Sequence, residues 1–192
     1  YWIVGASNSV KLAKYDGSTW TNLSSGLTEF TGGVTAAAWK DVSPTYWLFG
    51  GTNGKIMKYD GSTWTGLTSY LGWTADITCI TWNGSEFVIA GKNGKVARYN
   101  GSTFTDISSN LNAAWGGTYD IFALDWSSAG NIMLIGGAGN KLASLPPSSS
   151  TFTDKSSSVT NIGTVYSIEW NGSYWLLGGF YNSQAKLYTC NP

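Results

Sequence analysis

The sequence predicts an all-β protein assembled from repeated four-stranded units. Three observations carry that prediction. A glycine turn framed by aromatics recurs as Tyr15-Asp16-Gly17-Ser18-Thr19-Trp20, Tyr59-Asp60-Gly61-Ser62-Thr63-Trp64 and Tyr99-Asn100-Gly101-Ser102-Thr103-Phe104. Its spacing of about 40–45 residues is that of one supersecondary unit stacked repeatedly. A lysine opens a matching segment in every unit, at Lys11, Lys55, Lys95, Lys141 and Lys186. Between these markers, apolar residues come in short runs bounded by Gly and Asn, as strands joined by tight turns require.

Each unit reads as four strands in order. The first alternates and ends in Trp: 34–39, 77–82, 121–126 and 165–170. Its β-branched and aromatic residues favour extended backbone, and Asn83-Gly84 or Asn171-Gly172 then supplies a tight turn. The second strand is apolar throughout, as in Trp2-Ile3-Val4, Trp47-Leu48-Phe49, Phe87-Val88-Ile89, Met133-Leu134-Ile135 and Trp175-Leu176-Leu177. A strand apolar on both faces must be covered on both, which places each sheet between neighbouring sheets. Glycine pairs such as Gly50-Gly51 follow, where a bulge or a close backbone approach is expected. Asn53-Gly54 and Asn93-Gly94 turn the chain into strand three, at 56–59 and 96–99, and the Asp/Asn-Gly turn leads to strand four. In the fourth unit Leu145-Pro146-Pro147-Ser148 replaces that turn, so an irregular outer hairpin is expected, proline being unable to donate to a ladder.

Four short antiparallel strands per unit make one blade of a β-propeller. We read one domain over 1–192, with units at 1–32, 33–75, 76–118, 119–162 and 163–192. The first lacks its innermost strand and the fifth its outermost, so either five units close with imperfect end blades or they form an arc of a larger ring. The chain starts at Tyr1, in a strand and without Met, as a piece of something longer would.

Composition excludes several roles. With 42% apolar and 15% aromatic residues the chain can bury a core. Eleven basic and eleven acidic residues cancel, so no strong field draws it to nucleic acid or an anionic membrane. No run of about 18 apolar residues is present to insert in a bilayer. Cys79 and Cys190 lie far apart and define neither a disulfide framework nor a metal-ligand spacing.

The run Asn53-Gly54-Lys55-Ile56-Met57-Lys58-Tyr59-Asp60-Gly61-Ser62-Thr63-Trp64-Thr65 resembles two-component-regulator propeller repeats and, more distantly, Asp-box and kelch repeats. The Asp-box spacing is one residue short here, Gly61 following Asp60 directly. Sialidases of the Asp-box type use three arginines on the substrate carboxylate, whereas this chain has Arg98 alone; kelch-type copper oxidases need histidine, and there is none. The missing histidine also removes the commonest general base.

Candidate site residues fall into three groups, each with a structural alternative. Phe30, Tyr70, Trp73, Trp115 and Tyr119 lie in the irregular connections 24–33, 68–76 and 108–119. There they would stack on sugar rings or anchor a protein, or else fill gaps between blades. The five aligned lysines would form a basic ring for an anionic group, or protect strand ends. Asp125 and Glu169 hold equivalent places before Trp in consecutive first strands. They would share a proton or cation in a channel, or simply be solvated. Asp16 and Asp60 alternate with Asn100, which suits a turn rather than acid–base chemistry. Asn22, Asn83, Asn100 and Asn171 begin Asn-x-Ser/Thr triplets open to glycosylation in a secretory pathway.

These residues predict a noncatalytic, extracellular or cell-surface β-propeller whose loop face binds a carbohydrate or a protein, without cofactor or metal. A purely structural module of a larger surface or filament protein is the alternative, and a hydrolase-like enzyme the third reading.

Overall fold

The computed structural model describes residues 1–7 and 9–191. Among them, eighteen strands form five antiparallel sheets. The backbone divides into two compact units, 1–80 and 81–192, and the division runs through the first strand of the third repeat.

In the first unit, β1 (Trp2–Gly5), β2 (Leu12–Tyr15) and β3 (Trp20–Asn22) pair in chain order. A 3₁₀ turn at Ser24–Gly26 leads to the second sheet. It contains β4 (Val34–Lys40), β5 (Tyr46–Gly51), β6 (Ile56–Tyr59) and β7 (Trp64–Gly66), also in chain order. The short helix α1 (Thr68–Leu71) precedes β8 (Ile77–Trp82), which opens the third sheet.

That sheet continues in the second unit with β9 (Phe87–Gly91), β10 (Val96–Tyr99) and β11 (Phe104–Asp106). Helix α2 (Ser108–Trp115) ends at Gly116, whose positive φ turns the chain away. No helix is legible there in the sequence, which shows only an irregular connection. The fourth sheet is β12 (Ile121–Ser127), β13 (Ile132–Gly137), β14 (Leu142–Leu145) and the two-residue β15 (Thr153–Asp154). β15 is short because Pro146 and Pro147 break the outer hairpin, as expected. The fifth sheet has three strands, β16 (Thr164–Trp170), β17 (Trp175–Tyr181) and β18 (Gln184–Cys190).

The glycine pairs have a specific use. Val34 pairs with Gly51 and Ala36 with Gly50, so Thr35 is the extra residue of a bulge; the same shift recurs at Val165/Ser167 opposite Gly179 and Gly178. A Cβ on Gly50 would come within 2.5 Å of Ile77 Cγ2, so glycine lets the sheets close up.

Sheet faces make the core of each unit. In the first, Phe49, Met57 and Tyr59, flanked by Trp47 and Trp64, pack with Leu12, Leu27, Phe30 and Val34, flanked by Ile3. In the second, Trp175 and Leu177, flanked by Tyr188, pack with Leu134, Leu142 and Ile162. In both, one face of a sheet meets the opposite-type face of the sheet before it.

Candidate functional site

The repeated turn is a closed hydrogen-bond module. Asp16 Oδ1 accepts from the Ser18 amide at 2.9 Å, the Ser18 hydroxyl at 2.9 Å and the Thr19 amide at 2.8 Å. Asp60 and Asn100 make the same three bonds. Tyr15, Tyr59 and Tyr99 each donate to the carbonyl of the turn glycine. Their rings stack on Trp20, Trp64 and Phe104 at 4.8, 4.4 and 4.3 Å. Amide donation from Thr19, then from Ser18, holds the Asp16 carboxyl down at about 2; Thr63 and Ser62 lower Asp60 in the same way. Such a carboxylate is a poor proton carrier near neutrality, and asparagine replaces it without loss of geometry.

The connection aromatics separate into two kinds. Phe30, Trp73 and Trp115 are buried. Trp73 lies against the strand-two to strand-three turn of the sheet before its connection, and Phe30 against Gly51 at the end of β5 in the sheet after its own. A Cβ on Gly54 would lie 2.1 Å from the Trp73 carbonyl oxygen, and one on Gly51 would lie 2.5 Å from the Phe30 ring. Asp76 Oδ1 accepts from the Asn53 amide at 2.9 Å, fastening the 68–76 connection to that turn. Lys141 Nζ donates to the Trp115 carbonyl at 2.7 Å and lies 4.7 Å from the centre of the half-buried Tyr119 ring. Tyr70, on α1, is 73% exposed and alone among the five offers its ring freely to solvent.

Three of the five lysines have local partners rather than a shared one. Lys141 is held as above, Lys95 Nζ lies 4.0 Å from Asp106 Oδ2, and Lys186 donates to Gln184 Oε1 at 3.1 Å. Lys11 is exposed and Lys55 half-buried. Asp125 Oδ2 accepts from the Trp170 amide at 2.7 Å, tying β12 to β16. Burial pushes its carboxyl up, against the lowering effect of the Trp170 and Trp126 amides. The Glu169 side chain is exposed. Among the described residues no group of three or more His, Cys, Asp or Glu is placed to hold a metal ion, and no helix is long and apolar enough to cross a membrane. Neither Cys79 nor Cys190 is in a disulfide, and burial pushes the Cys79 thiol up to about 12.

Two features escape sequence reasoning. Ser24, Thr68, Ser108 and Ser156 each accept from the amide of the residue after a marker lysine, Leu12, Ile56, Val96 and Leu142, at 3.0–3.2 Å. Each also donates to that residue's carbonyl. Their recurrence just after strand four was the available signal. The second feature is uncovered apolar surface. Trp2 (74%), Val4 and Trp20 are exposed on one face of the first sheet; Leu187 (70%), Leu176 and Phe180 are exposed on one face of the fifth. Equivalent positions elsewhere are closed: Phe49, Ile89, Ile135 and Leu177 match Val4, and Leu12, Ile56, Val96 and Leu142 match Leu187, all of them buried.

Solved structures place this arrangement. A chain of the mitotic checkpoint complex matches 98% of this chain with a TM-score of 0.68 at 17% identity. YCF48 bound to D1 peptide matches 94% with a TM-score of 0.64 at 11% identity. Both are β-propellers. The fold is that of a β-propeller. The computationally designed Ika4 protein also matches, over 83% of this chain and 92% of its own, with a TM-score of 0.57 at 16% identity. The chain spans 58% of the YCF48 chain and 58% of the checkpoint chain. No protein-family model and no curated protein matches it.

Proposed function

We propose that this chain is a noncatalytic, protein-binding β-propeller that holds its partner by uncovered sheet faces. One observation carries the reading: Trp2, Val4, Leu176 and Leu187 are exposed at positions whose counterparts in the other sheets are covered by protein. Apolar surface of this kind gains free energy when water is removed from it. A flat face of Val, Leu and Trp suits a protein better than a sugar, whose hydroxyls need convergent polar groups. The likeness to YCF48 bound to D1 peptide and to a mitotic checkpoint complex chain agrees with this use of the fold.

The noncatalytic part rests on what the candidate acids do. Asp16 and Asp60 are consumed by their own turns and Asp125 by the Trp170 amide. To test the reading, a photoreactive benzoylphenylalanine replaces Leu187, or Trp2, and the protein is irradiated in its native extract. Covalent adducts to protein are expected from both positions and not from the exposed turn residue Ser62. No adduct from either face overturns the proposal.

A further inference from the structure

We infer that the partner of each uncovered face is a second copy of this chain, docked head to tail with its Trp2/Val4/Trp20 face on the Leu176/Leu187 face. The inference rests on the protein-binding reading above and names its partner. It follows from how the sheets already pack. Strand register puts Trp2, Tyr15 and Trp20 on one face of the first sheet and Ile3, Leu12 and Lys14 on the other. In the second sheet the corresponding first face carries Trp47, Tyr59 and Trp64, and it is this face that packs with Ile3 and Leu12. In the fifth sheet Trp175 and Leu177 lie on the corresponding face and pack with Leu134 and Leu142 of the fourth.

Two interfaces within the chain therefore join the same two kinds of surface. One kind is left over on the first sheet, through Trp2, Val4 and Trp20. The other is left over on the fifth, where Leu187 stands for Leu142 and Leu12, and Leu176 for Leu134 and Ile3. A second copy supplies the missing counterpart of each in the chemistry the chain already uses. The contact continues an interface repeated inside the molecule rather than inventing a new one. Because the two surfaces differ, the association is heterologous: it makes rings where the rotation closes and filaments where it does not. With eleven acidic and eleven basic residues, copies meet without net repulsion.

The test is mass in solution, by sedimentation and light scattering, from about 1 to about 200 μM, concentrations bracketing typical micromolar association. The wild-type chain is expected to move from the 20.5 kDa monomer to integer multiples of it. Trp2→Asp and Leu187→Asp each break one surface, so each variant alone is expected to stay monomeric with wild-type circular dichroism. Mixed in equal amounts, they retain one intact pair of surfaces and are expected to form 1:1 dimers. If Trp2→Asp disturbs folding, Trp20→Asp on the same face replaces it. A wild-type chain monomeric throughout, or folded variants that fail to complement, overturns the inference. The photoreactive residue at position 187 separates the two levels. Adducts only to a different protein defeat the second-copy inference and leave the protein-binding reading standing; no adduct at all, even to another copy, defeats both.

Discussion

Asp16 and Asp60 show how a residue that resembles a catalytic acid is used up by local structure. Each carboxylate accepts two amides and a hydroxyl inside its own turn, so its folded pKa is lowered. Its ionised form stabilises the fold above the ordinary value of 3.8, and that stabilisation disappears as pH falls toward about 2 for Asp16. The double variant Asp16→Asn/Asp60→Asn keeps the turn, as Asn100 does, and should flatten the loss of melting temperature between about pH 4 and 2. An unchanged acid profile would remove these turns from the acid response. At the same scale, Trp73→Ala should cost about 3–5 kcal/mol in denaturant unfolding, because a large buried ring leaves a cavity. Tyr70→Ala should fall within about 0.5 kcal/mol of wild type, as exposed sites do.

At the scale of elements, the strand-four exits are pinned by Ser24, Thr68, Ser108 and Ser156, whose hydroxyls close the edge of the following connection onto strand three. Ser108 is the buried one. Ser108→Ala leaves the buried Val96 amide unpaired, while the Val96 carbonyl keeps the Ile107 amide, and should cost about 1–3 kcal/mol, whereas the exposed neighbour Ser109→Ala should be nearly neutral. Equal effects at the two positions would deny the bond its structural role. The turns behave similarly. Gly54 and Gly61 both have positive φ, but only at Gly54 would a Cβ meet backbone, the Trp73 carbonyl. Gly54→Ala should therefore lower the melting temperature more than Gly61→Ala, since the second suffers from backbone conformation alone.

For the whole molecule, the uncovered faces decide behaviour that charge does not. Net charge is zero, and the exposed faces of the first and fifth sheets are apolar. Association through them should persist at about 1 M salt, where the Debye length is only about 3 Å. Dissociation on adding salt, followed by light scattering, would place the contact on the lysines instead.

Strand order, the hairpins and the turn chemistry are legible along the chain, because these depend on periodicity and on Asn, Asp and Gly at fixed places over a few residues. Even Phe30 and Trp73 carry a readable signal: each stands four residues before a first strand, at Val34 and Ile77, and such recurrence belongs to packing. Their role as a loop-face site separates from a core role only once the connections are seen packed against Gly51 and the Gly54 turn. Helix α2 is hidden because Ser-Ser-Asn-Leu-Asn-Ala-Ala-Trp has only weak helical periodicity, and burial of Leu111 and Trp115 settles it. Which apolar faces stay open is a matter of three-dimensional packing alone. Trp2 and Leu187 read like their buried counterparts along the chain, and what distinguishes them is whether another sheet lies against them, a property that no local pattern encodes.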